Sequence, residues 1–206
     1  MCSSDLNLAS TYWSQERHNE AEKLQAQVLD MTKKLLGAEH PDTLSSMANL
    51  ASTYQSQRRQ NEAEILQVQV MDIRKKLLGE KHPKTLNSME NLASTYWSLG
   101  RYNEAEKLQI QVMDMRKKLL GGEHLDTLTS MAKLARTYQS QGRQSEAEKL
   151  QLQVMDMTKK LLGDEHPDTL SSMVNLARTY RYQGKFYEAE RLELVVMNTK
   201  IRIERK

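Results

Sequence analysis

Along residues 42–83, Leu44, Met47, Leu50, Ala51 and Tyr54 recur at the i, i+3, i+7 spacing that lays an apolar stripe on one face of a helix. Ser45, Asn49, Ser52 and Gln55 keep the same spacing on the opposite, polar face. Pro41 suits the first helical turn, where a missing N–H costs nothing, and Asp42 suits the positive end of the helix dipole. A second segment opens at Asn61-Glu62-Ala63-Glu64, a capping-box pattern in which Asn61 is expected to cap and Glu64 to reach back. Its apolar positions Ala63, Leu66, Val70, Ile73 and Leu77 are again helical. A further set, Val68, Met71 and Leu78, widens the stripe until two sides of this helix need burial. Lys75 and Lys76 complement the negative helix end, and Gly79 stands where an αL residue usually stops a helix. The pattern predicts a helix of about four turns, a tight turn, a helix of about five turns and a five-residue loop.

This unit recurs. NLASTY begins at Asn7, Asn49 and Asn91, and returns as KLARTY from Lys133 and NLARTY from Asn175, each start 42 residues after the last. Residues 7–48 laid over 49–90 match at 29 of 42 positions. A fixed period of this length is the signature of a solenoid. A lone helix pair cannot bury both apolar sides of its second helix, so each unit must stack on the next. One array over 1–206 is expected, with repeats at 1–36, 37–78, 79–120, 121–162 and 163–206. The fold expected is all-α, a solenoid of five helix-turn-helix repeats.

Composition agrees with helix. Aromatic residues make up 5% and charged residues 28%, with only eight Gly and three Pro among 206 residues, whereas sheets lean on aromatic and β-branched residues. The single cysteine, Cys2, leaves no internal disulfide framework. The opening MCSSDLNLASTY has neither a basic nor an apolar signal region, and no run of about eighteen apolar residues occurs. The expected location is cytoplasmic. A net charge of +3 argues for no nucleic-acid role.

The succession L-A-x-x-Y, E-A-E-x-L, L-G-x-x-H-P at a period of 42 resembles the tetratricopeptide repeat in its long form, the kind found in kinesin light chains and in repeat arms of fungal nucleotide-binding signalling proteins. Leu50, Ala51, Tyr54 and Ala63 match the family's packing positions, as do Leu92, Ala93, Tyr96 and Ala105. The resemblance implies a right-handed superhelix. Gln25, Gln67, Gln109 and Gln151 depart from it, standing where many members carry an aromatic, and Val70 stands where Ala is usual. The light chain's heptad coiled coil and the signalling protein's P-loop domain have no counterpart in this sequence, so neither heavy-chain attachment nor nucleotide hydrolysis is implied. Met1–Asp5 replaces the D-T-L-x-S-M start of a first helix. The last helix, Glu188–Arg205, carries Val195, Val196, Ile201 and Ile203 without a following repeat. A segment of a longer array, or a protein that pairs through its ends, would explain both.

Candidate chemistry reduces to structural roles. His40, His82, His124 and His166 occur once per repeat, so stacking sets neighbours roughly 10 Å apart, whereas zinc ligands converge within about 2 Å of one point. They are expected to bond their own turns, and no metal or cofactor is expected. The Glu62/Glu64, Glu104/Glu106 and Glu146/Glu148 pairs fit first-turn capping rather than acid–base chemistry. No nucleophile elbow or phosphate loop is present, so no enzyme is expected. Lys33/Lys34, Lys75/Lys76, Lys117/Lys118 and Lys159/Lys160 form a basic edge that also complements helix ends, which makes nucleic acid an unlikely partner.

Selected exposed positions on the polar face of the first helix change from repeat to repeat. After Tyr stand Trp13, Gln55, Trp97, Gln139 and Arg181; three positions earlier, Ser10, Ser52, Ser94, Arg136 and Arg178; at the motif's start, Asn7, Asn49, Asn91, Lys133 and Asn175. The resemblance implies that this face lines a concave groove. There Trp13, Trp97, Gln55, Asn49 and Asn91 would form one part, and Lys133, Arg136, Asn175, Arg178 and Arg181 a basic part with Glu90 as the nearest acid. Tryptophan and arginine often anchor partners, arginine forks suit carboxylates, and asparagine can bond a peptide backbone. The function expected is a non-enzymatic module binding a partner peptide, acidic in character. The alternative is a regulatory or sensor arm of a larger signalling protein, self-associating through terminal helices.

Overall fold

The structure, a computed structural model, describes residues 18–205. The chain divides into two compact units, Met1–Arg101 and Tyr102–Lys206. The first holds α1 (His18–Leu36), α2 (Pro41–Ser56), α3 (Gln60–Leu78) and α4 (Pro83–Ser98). The second holds α5 (Tyr102–Leu120), α6 (Leu125–Ser140), α7 (Gln144–Leu162), α8 (Pro167–Tyr182) and α9 (Phe186–Glu204). Within each unit every helix packs on its sequence neighbours, so α3 is covered by α2 on one side and α4 on the other, and α7 by α6 and α8. The two-sided apolar pattern of the second helix therefore has its physical cause.

The helix starts follow from residue chemistry. At His40, His82, His124 and His166 the imidazole Nδ1 accepts the amide N–H of the residue two later at 3.1–3.2 Å, capping α2, α4, α6 and α8. Pro41 is already the first helical residue, so the connection is four residues, Gly37–His40. Gly79 closes α3 through its N–H to Lys75 O, but at φ 86 and ψ 164 rather than in the αL well. That region is open essentially to glycine alone. The second-helix start differs from the capping-box expectation. Arg59 precedes the first helical residue Gln60 and no side chain caps α3, while Asn61 is exposed inside the first turn. Glu62 instead pairs with Arg59, and Glu64 with Arg101 at the head of the next hairpin turn.

A buried cluster of Leu44, Met47 and Val70, joined by Leu29, Leu66 and Ile73, unites α1, α2 and α3. Leu170, Met173 and Val196 do the same for α8 and α9, with Met155 of α7 packed against them. Each such leucine contributes about 1.5–3 kcal/mol when fully buried. Ala63, Ala105, Ala147 and Ala189 are fully buried, marking the close helix approaches where a larger side chain would push the backbones apart. Leu77 and Leu78, placed in the apolar stripes by their spacing, are 47% and 43% exposed. The second helix of each hairpin has 19 residues against 16 in the first, so its last turn overhangs.

Candidate functional site

Polar contacts between neighbouring hairpins explain several recurring spacings within the repeat. The fully buried Thr95 donates its hydroxyl proton to Gln67 Oε1 at 2.6 Å and accepts from Gln55 Nε2 at 2.7 Å. Thr179 stands identically between Gln151, at 2.6 Å, and Gln139. Thr53 and Thr137 donate to Gln25 and Gln109 at 2.7 Å. The glutamines that depart from the aromatic pattern are thus acceptors in a seam, and Gln55, expected in the groove, is drawn into that seam.

A second link runs through the hairpin turns. Arg59 lies 4.2 Å from the Tyr54 ring centroid and bonds Glu22 at 2.8 Å; Arg143 lies 4.1 Å from the Tyr138 centroid and bonds Glu106 at 2.8 Å. Lys185 repeats the contact with Tyr180 and Glu148. Burial pushes the Glu22 and Glu148 carboxyls up, but the hydrogen bonds from Arg59 and Gln57, and from Lys185 and Gln183, outweigh it and hold both below the ordinary value. Carboxylates kept ionised in this way are the opposite of general acids. The lysine edge is matched by loop acids: Lys76 meets Glu39 at 2.8 Å, Lys160 meets Glu123 at 2.9 Å and Lys159 meets Asp164 at 3.0 Å. Among the described residues no three His, Cys, Asp or Glu side chains gather as a metal site, and no helix is long and apolar enough to cross a membrane.

In the first unit, Asn49 and Asn91 are exposed at matching positions of α2 and α4, and Trp97 is half-buried near the end of α4. Glu90 is buried rather than available on the surface. Trp13 lies outside the described residues.

The second unit brings more of the expected residues together. Arg178 of α8 donates from Nη2 to Asn175 Oδ1 at 3.0 Å. Arg136, exposed on α6, has its pKa lowered first by the surrounding protein and then by the positive charge of Arg178. Two guanidinium groups on neighbouring first helices thus repel one another, and Lys133 stands one turn away on α6. Beside them a recess of about 170 Å³ opens between α6, α7 and α8, lined by the apolar Leu125, Leu128, Ala132 and Val154 and by the polar Asp168 and Asn175 among others. Leu125 replaces the proline of the other loops, the one sequence signal of this recess. Asn175 joins the two features, since it lines the recess and receives Arg178. Arg181 is engaged elsewhere. Its Nε donates to Glu193 Oε1 of α9 at 2.8 Å, and this bond holds the Glu193 carboxyl below its ordinary value.

Comparison with known proteins places this geometry in context. The tetratricopeptide repeat profile matches residues 1–76, 62–118, 84–160 and 145–198. Two crystal structures of a Podosopora anserina protein of kinesin light chain type with nearly identical TPR-like repeats, one of them a substituted form, superpose with TM-scores of 0.90 and 0.88. They are 36% and 37% identical to this chain, covering 99% of it and 96% and 97% of themselves. BtubC (BKLC) from P. vanneervenii shares the fold with a TM-score of 0.82 at 19% identity, over 96% of this chain and 78% of its own. Comparison with curated proteins returns no match.

Proposed function

Because the chain belongs to the tetratricopeptide repeat family, we propose that it is a non-enzymatic interaction module that holds an acidic segment of a partner protein against the first helices of its second unit. Arg136 and Arg178 would add guanidinium N–H donors and positive charge toward a carboxylate beside the contacts they already make within the chain, and Lys133 would add to the attracting field. Asn175 keeps its amide N–H groups for a peptide carbonyl while its oxygen takes Arg178. An apolar side chain of the partner would fill the recess at Leu125. Asp168, which also lines that recess, disfavours an acidic side chain there. In the first unit, Asn49 and Asn91 would bond a peptide backbone and Trp97 would offer an apolar anchor. Gln55 and Arg181 act in this reading as supports, since both already serve contacts within the array.

The observation that carries the reading is the like-charged pair Arg136 and Arg178 adjoining an apolar recess through one shared asparagine. Fluorescence anisotropy with labelled peptides carrying several Asp or Glu around one Leu tests it. Binding is expected to fall with salt, and to weaken at least tenfold, about 1.4 kcal/mol, in an Arg136→Ser, Arg178→Ser double variant. Equal affinity of wild type and double variant at low salt would overturn the proposal.

A further inference from the structure

Arg74 of α3 reaches the first turns of α4, where its Nη1 donates to Ser88 Oγ at 2.8 Å and to the Lys84 carbonyl oxygen at 3.4 Å. Both acceptors are neutral. Arg116 of α5 makes the same two contacts one repeat later, with Ser130 Oγ at 2.9 Å and the Asp126 carbonyl oxygen at 3.1 Å. In successive repeats the residues at these two positions are Thr32 with Asp42, Arg74 with Lys84, Arg116 with Asp126, and Thr158 with Asp168. Every pair but one includes an acid, and that one joins two cations. Among the described residues neither the Arg74 nor the Lys84 side chain forms an ion pair. Arg74 is half-buried, and this burial lowers its pKa with no carboxylate to oppose it.

Both cations line a recess of about 150 Å³ in the first unit, together with Leu44, Leu77, Leu78, Glu39 and His82 among others. The two half-exposed leucines at the end of α3 thus form part of its wall. Glu39 is already held by Lys76 at 2.8 Å, and His82 Nδ1 accepts the Lys84 amide N–H at 3.1 Å. The uncompensated charge of the lining is therefore that of Arg74 and Lys84. An apolar cavity of about 150 Å³ admits one benzene-sized group, well below the roughly 300–1,000 Å³ of pockets that enclose larger ligands. Guanidinium and ammonium donors beside such a wall recognise an anion joined directly to a compact apolar group. We propose that this recess binds a small organic carboxylate bearing one apolar group of that size, with Arg74 and Lys84 taking the carboxylate and Leu44, Leu77 and Leu78 the apolar group. It lies on different residues from the acidic-segment site, so either proposal stands without the other.

Phenylacetate is the probe, titrated into the full chain while the leucine methyl resonances are followed by NMR. Saturable shifts are expected at Leu44, Leu77 and Leu78, with an affinity that falls as salt is added. Neutral phenylacetamide should bind at least tenfold more weakly, and acetate, which lacks the apolar group, should leave these methyls unmoved. The variants are Lys84→Asp and Arg74→Thr, because Asp and Thr already occupy these positions in other repeats; circular dichroism checks that their helices persist. Each should weaken phenylacetate at least tenfold. No saturable shift at tens of millimolar phenylacetate would overturn the proposal. So would an amide that binds as well as the acid, acetate moving the methyls as far, or either variant binding like wild type.

Discussion

Thr95→Val isolates the seam relay that joins α4 to α3. The change keeps shape and β-branching but removes a hydroxyl that is fully buried and bonded on both sides, to Gln67 Oε1 at 2.6 Å and from Gln55 Nε2 at 2.7 Å. The two glutamines lose unequally. Gln55 is half-buried and can turn its amide to water, whereas Gln67 is 5% exposed and its oxygen is left without a donor. An orphaned buried acceptor costs about 1–3 kcal/mol, so a loss of about 2 kcal/mol is expected. Adding Gln67→Leu removes the orphan and supplies apolar volume, which should return the protein to within about 1 kcal/mol of wild type. The assay is urea unfolding followed by far-UV circular dichroism, with the slope as well as the midpoint compared, since a repeat array can lose cooperativity when one interface weakens. A loss for Thr95→Val below about 0.5 kcal/mol, or a double variant that merely adds the two single losses, would show that the hydroxyl carries no seam energy.

Further outcomes follow from local geometry and charge. Arg58 holds φ at 61° where the equivalent turns use Gly100, Gly142 and Gly184 at 74–78°. Arg58→Gly should therefore stabilise by about 0.5–1 kcal/mol in the same urea assay, and a lower midpoint would contradict the strain. Glu22, Glu62, Glu146, Glu148 and Glu193 are all held below their ordinary pKa by cationic partners. Their contribution is fully present above the unfolded carboxyl value of about 4.3. It is lost as pH falls through the lower folded values, because there the unfolded chain is the first to bind protons. The urea midpoint should thus hold from neutral pH to about 5 and drop below 4, less steeply in Glu148→Gln; a midpoint flat down to pH 3 would contradict the assignment.

Helix type and order were legible because burial on a helix face repeats at the helical period, and a unit copied at 42-residue intervals states that period several times over. The histidine caps were legible too, since one residue per repeat beside a helix start leaves little but a local bond. The start of α3 was not. Asn61 and Glu64 carry the residue types of a capping box, but the preceding turn, with Arg59 N–H bonded to Tyr54 O, begins the helix two residues earlier and commits the carboxylates of Glu62 and Glu64 to Arg59 and Arg101. The Gln67–Thr95 bond spans 28 residues between different hairpins, so no local pattern encodes it. Its trace was the joint recurrence of Gln and Thr at that offset. In the same way Gln55 and Arg181 share a position whose partner lies on another helix, Thr95 in one case and Glu193 in the other, and helical spacing alone cannot separate that from a groove. The recess at Leu125 had only the loss of one proline to announce it.

Where a partner segment lies on this molecule is read by titrating isotope-labelled protein with the acidic, leucine-bearing peptide and following amide and side-chain resonances by NMR. The largest shifts are expected at Leu125, Lys133, Arg136, Asn175 and Arg178, with Lys159, Lys160 and Met197 unmoved. Shifts concentrated along the lysine edge or on α9, with Arg136 and Arg178 silent, would contradict an acidic-segment site on the first helices.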